Sequence, residues 1–98
     1  MYTIERGFLY KIQIEGLPDG EKKVCLRTDA MPNFRYYCSR QSVADNGDLI
    51  AEWDAEVTEQ MPLAVFHLEV YMDDRSKIWT AERFAQTSNN VISISDEQ

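Results

Sequence analysis

The sequence predicts an all-β domain, an antiparallel β-sandwich of about seven strands. Three observations predict it. The stretch Leu63-Ala-Val-Phe-His-Leu-Glu-Val-Tyr-Met72 puts Ala64, Phe66, Leu68, Val70 and Met72 on one face at a period of two. Similar short alternations recur along the chain between turns rich in Gly, Pro, Asn and Asp. The 98 residues are 44% apolar, enough for one core and one domain.

The elements follow in order. Tyr2 to Glu15 alternates, with Tyr2, Ile4, Phe8, Tyr10, Ile12 and Ile14 on the even positions. Arg6-Gly7 interrupts it, so two short strands or one bent strand are expected, with Phe8, Tyr10, Ile12 and Ile14 inward. Gly16-Leu-Pro-Asp-Gly20 is a turn. Val24, Leu26 and Thr28 alternate after it and form the second arm of a hairpin with the first strand. Phe34 to Arg40 is aromatic and extended, with Phe34, Tyr36 and Cys38 on one face.

Asp45-Asn-Gly-Asp48 is a hairpin turn of type I′ composition. Leu49 to Met61 satisfies two periods. A strand over residues 48–54 followed by a polar crossover through Thr58-Glu-Gln60 is the favoured reading, because Pro62 ends any helix. A single helix over residues 49–60, with Asp48 as its cap, is the alternative. Pro62 opens the strand that carries Phe66, Leu68 and Val70. Asp73 to Lys77 is its hairpin loop, and Ile78 to Ala85 returns beside it. Trp79 and Phe84 fall on opposite faces there, which means either a bulge or a strand covered on both sides. Residues 86–90 are expected to be a loop. Val91 to Ser95 is the last strand, with Ile92 and Ile94 inward, and residues 96–98 are a frayed tail. Leu26 and Trp53 complete the expected core.

Charge is polarised along the chain. The net charge is −7. Nine acids and no Lys or Arg lie between Gln41 and Asp74, whereas Lys22 to Arg40 holds five bases and one acid, Asp29. An acidic block repels polyanions, so nucleic acid is not an expected partner. Oppositely charged faces suit head-to-tail contact between copies, hence a possible homo-oligomer. Asp45, Asp48, Glu52, Asp54, Glu56 and Glu59 are the candidate acidic interaction face. No apolar run approaches the roughly 18 residues of a membrane span. Met1 to Arg6 is too polar for an export signal, so synthesis and retention in the cytoplasm are expected. There Cys25 and Cys38 are expected as free thiols, a disulfide between neighbouring strands needing export or release by lysis.

Chemistry is sparsely provided for. His67 with Cys25 or Cys38 is the only nucleophile–base pair on offer, and no nucleophile-elbow serine exists. Cys25, Cys38 and His67 lack zinc-site spacing. Asp45 to Glu56 fails as a calcium loop, with Gly47 at its third position. Asp73 and Asp74 could make an acid pair, but hairpin acids ordinarily face water. No enzyme activity, metal or cofactor is expected. Arg35, Tyr36, Tyr37 and Trp79 could form a platform for a sugar or small ligand.

One resemblance carries further. Arg6-Gly7 leads into Phe8-Leu-Tyr-Lys-Ile-Gln-Ile14. Trp53-Asp-Ala-Glu-Val-Thr-Glu-Gln-Met-Pro62 precedes Phe66-His-Leu-Glu-Val-Tyr71, and Ile78-Trp-Thr-Ala-Glu-Arg-Phe84 returns after an Asp-rich hairpin. This layout resembles the immunoglobulin-like amino-terminal domain of phage and prophage baseplate upper proteins. It differs in having Leu63-Ala64 where a glycine usually stands. The resemblance implies a structural, non-enzymatic part of a tail, assembled into a virion beside other copies or other tail proteins. A carbohydrate-binding module and an acidic inhibitor that mimics a polyanion are the alternatives.

Overall fold

The computed structural model describes residues 1–72 and 75–89. It is mostly β, with two sheets packed as a sandwich around one core. In chain order the strands are β1 (Tyr2–Glu5), β2 (Tyr10–Ile14), β3 (Lys22–Thr28), β4 (Tyr36–Tyr37), β5 (Arg40–Val43), β6 (Leu49–Trp53), β7 (Val65–Met72) and β8 (Lys77–Ser88). A short helix, α1 (Ala55–Glu59), follows β6. The larger sheet runs β1-β8-β7-β3-β4 and the smaller β2-β6-β5. No helix is long and apolar enough to cross a membrane, among the described residues.

The period-two pattern explains the layers. Phe66, Leu68 and Val70 of β7 and Val24 and Leu26 of β3 are fully buried. Opposite them lie Ile12 and Ile14 of β2 and Leu49, Ala51 and Trp53 of β6. Ile4, Tyr36, Met61 and Ala85 complete this core. Each large side chain so enclosed contributes roughly 1.5–3 kcal/mol. The Trp53 indole N–H crosses between the layers and donates to the Tyr36 carbonyl at 2.8 Å.

Leu49 to Trp53 takes the extended reading, and the expected crossover after it holds the short helix α1. Leu49, Ala51 and Trp53 are buried alternately, and β6 pairs with both β2 and β5. The single helix over 49–60 is overturned, because α1 begins only at Ala55. Ladder pairing on both sides of β6 supplies hydrogen-bond partners to the backbone of residues 49–53, where a helix would have begun.

Other expectations are corrected. Phe8 is 51% exposed, not inward. It sits in the corner where Gly7, at φ 86°, carries the chain from one sheet to the other. β2 and β3 are not a hairpin: β2 pairs with β6 and β3 with β7, so the 15–21 connection passes between layers. The aromatic segment is broken likewise, β4 joining the larger sheet and β5 the smaller. The 45–48 turn is not type I′, which needs positive φ at both central residues. Only Gly47 has it, at 92°, while Ala44 accepts from Gly47 and donates to Asp48. Residues 86–88 are strand, not loop, and pair in parallel with β1, Tyr2 facing Ala85 and Glu5 facing Ser88.

The bulge expected near Trp79 and Phe84 exists. Phe66 faces Ala85 and Leu68 faces Ala81, so Glu82, Arg83 and Phe84 together oppose His67. Arg83 takes φ 51° to accommodate this. The Ile92 and Ile94 strand, the tail at 96–98 and the acid pair Asp73 and Asp74 fall outside the described residues.

Candidate functional site

The outer face of the larger sheet carries a polar network around one carboxylate. Odd positions of β3 and β7 point away from the core, which brings Cys25, Arg27, Glu69 and Tyr71 together. The Glu69 side chain is only 2% exposed. Arg27 Nε donates to its Oε2 at 3.1 Å and the Tyr71 hydroxyl to its Oε1 at 2.8 Å. Lys77 Nζ lies 3.5 Å from Oε2 and Arg35 Nε 3.7 Å from Oε1. Burial opposes ionisation of Glu69, but Tyr71, Arg27 and Lys77 outweigh it and hold the carboxyl below its ordinary range. The same burial, with Glu69 beside it, pushes the Cys25 thiol up to about 12.

Beyond this carboxylate the face turns basic. A shallow cavity of about 350 Å³ is lined by Lys23, Arg35, Tyr37, Tyr71, Met72 and Arg75. The Arg35 guanidinium stands 5.7 Å from the Tyr71 ring centre and donates to its hydroxyl at 3.4 Å. That stacking fixes a flexible cation at the cavity wall. No carboxylate lines the cavity among the described residues.

The other layer is acidic. Asp45 and Asp48 sit in the β5–β6 turn, Glu52 on β6, Asp54 beyond it, and Glu56 and Glu59 on α1. They are not equivalent. Arg40 Nη2 lies 2.9 Å from Glu52 and 2.7 Å from Asp54 and compensates both. Asp48 accepts hydrogen bonds from Gln13 and Asn46. Among the described residues no ion pair reaches Asp45, Asp48, Glu56 or Glu59.

The four residues expected to form a ligand platform are divided. Arg35 and Tyr37 line the basic cavity. Tyr36, 9% exposed, packs edge-on against Phe66 in the core. Trp79 lies elsewhere, in a cleft of about 500 Å³ between the two layers, with Tyr2, Tyr10 and Phe84. The bulge in β8 brings Trp79 and Phe84 to that one cleft, despite their opposite parity.

His67 has structural partners. Its Nδ1 accepts the Arg83 backbone N–H at 3.0 Å, so the proton sits on Nε2, which faces Asp29 Oδ2 at 3.1 Å. The thiols have other partners: Cys25 donates to Glu69 and Cys38 to Gln41. The structure therefore forms no Cys–His pair. Among the described residues no three His, Cys, Asp or Glu side chains gather as a metal site requires.

Sequence reading missed the burial of Glu69, although a lone acid inside an apolar strand was the available signal. It also missed the cleft, whose rings come from the first two strands and from β8, far along the chain. No family model, curated protein or solved structure matches this chain.

Proposed function

We propose that this chain is a non-enzymatic structural module, part of a phage or prophage tail, that docks against copies of itself or other tail proteins. One observation carries the reading: charge of opposite sign gathers on opposite layers, with Lys23 and Arg75 on one and Asp45, Asp48, Glu56 and Glu59 on the other in no ion pair among the described residues. Lys23, Arg35 and Arg75 rim the cavity on the larger sheet. Asp45, Asp48, Glu56 and Glu59 lie with the smaller sheet and α1. Surfaces of this kind, on opposite sides of one body, generate head-to-tail rather than two-fold contacts. Electrostatic matching of this sort sets orientation and encounter rate more than raw affinity.

The polyanion-mimic reading has less support, because Arg40 interrupts the acidic surface at Glu52 and Asp54. The ligand-platform reading has less again, since its four residues do not converge.

Sedimentation velocity tests the proposal. Self-association at 50 mM salt is expected to weaken at 500 mM, where screening shortens to a few ångströms. Lys23→Glu with Arg75→Glu abolishes it. Asp45→Lys with Asp48→Lys abolishes it too, and mixing the two double variants restores a complex. A monomer at every salt concentration, with no complex on mixing, refutes docking between copies.

A further inference from the structure

We propose that the cleft between the edges of β1 and β2 is an acceptor site for an added strand, and that its occupant is the segment Val91–Ser95 of the same chain. The inference is independent of the charged surfaces.

The smaller sheet has three strands and the larger five, so the layers do not match at this side. β2 pairs with β6 alone and β1 with β8 alone. Both present a free edge, among the described residues, and the gap between them opens onto the core. Tyr10, Ile12, Ile14, Leu68, Trp79 and Phe84 line it. Tyr2, at its rim, remains 65% exposed although its ring stacks on Phe84 at 4.9 Å. An apolar gap of about 500 Å³ flanked by two unpaired edges calls for a strand with one apolar face.

The chain supplies one. Nine residues follow Asn89, and Val91-Ile-Ser-Ile-Ser95 alternates with Ile92 and Ile94 on one side and serines on the other. Its five residues match the five of β2. The exit point is suitable too. Ser88 accepts the Arg6 backbone N–H at 2.9 Å. Arg6 also holds the Asn89 side chain at 2.8 Å and the Glu59 carbonyl at 2.9 Å. Arg6 begins the corner that leads into Tyr10, so the chain leaves at the end of the cleft where β2 starts. Only Asn90 intervenes before the alternation begins. A second copy would have to displace a segment tethered one residue away, against a very high effective concentration.

Nuclear Overhauser spectra of methyl-labelled full-length chain test this. Cross-peaks from the Ile92 and Ile94 methyls to the Trp79 and Tyr10 rings are expected at all concentrations. They are expected to persist when labelled chain is diluted tenfold into unlabelled chain. Ile92→Asp with Ile94→Asp abolishes them and raises binding of an apolar dye several-fold, whereas outward-facing Ser93→Asp does neither. Absence of the cross-peaks in the unsubstituted protein overturns the proposal. So does their loss on dilution with unlabelled chain, which assigns the cleft to a second copy.

Discussion

The Trp53 indole donates across the sandwich to the Tyr36 carbonyl, tying an interior strand of one sheet to the edge strand of the other. β4 has only two residues, and its pairing with β3 covers just Cys25 and Leu26. The indole bond adds a cross-layer tie to the short ladder and the Tyr36–Phe66 ring contact that hold that edge. Trp53→Phe keeps most of the buried area but orphans the carbonyl. A loss of about 1–3 kcal/mol is expected in urea unfolding. Trp53→Ala adds a cavity and raises the loss to about 3–5 kcal/mol.

Glu69 makes stability depend on acid. Its carboxyl is held below the ordinary value of 4.5 in the folded chain. The folded state therefore binds this proton less readily than the unfolded one. The contribution is fully present above about pH 4.5 and is lost as pH falls through the folded value. Glu69→Gln is expected to be less stable than the parent at pH 7. The difference closes as pH falls below about 4.5 in paired urea titrations. An unchanged difference at both ends would contradict the network.

His67 satisfies the backbone of the bulge. His67→Leu preserves bulk but leaves the Arg83 N–H without its acceptor, at a cost of about 1–2 kcal/mol. Hydrogen exchange at the Arg83 amide should accelerate more than at Trp79, outside the bulge. Uniform acceleration along β8 would assign His67 a packing role only.

Gly20 stands at φ 119°, in a region other residues rarely enter, and a Cβ there would meet Met72 Cε at 2.8 Å. The methionine tip can move, but the backbone cannot. Gly20→Ala is expected to cost about 1–2 kcal/mol. Met72→Ala in the same background should recover little of it, which separates backbone strain from the contact.

The two thiols should differ. Cys25 is fully buried and its thiol is pushed up to about 12 by burial and by Glu69. Cys38 is only partly buried, and burial raises it as well. At pH 8 a disulfide reagent should label Cys38 slowly and Cys25 only after unfolding, read by mass spectrometry.

Much of this fold was legible because burial alternates. Phe66, Leu68 and Val70 announce their face, as do Ile12 with Ile14 and Leu49 with Trp53. Strand partnership was not legible. A connection such as 15–21 can close a hairpin or cross to the other layer with the same turn residues, and only the competing pairings of β6 and β7 decide. Glu69 was obscure for a related reason: its cations Arg27, Arg35 and Lys77 come from separate segments. The tyrosines of the supposed platform could not be sorted either, since parity places Tyr36 and Tyr37 on opposite faces without saying which is inner.

The parallel pairing of β1 with the end of β8 has a consequence for biosynthesis. Tyr2 is translated long before its partner Ala85. A nascent chain halted before Ala85 holds Ile4 without the neighbouring strand that encloses it. The domain therefore completes its larger sheet through one of its most distant contacts, which makes that step a slow one.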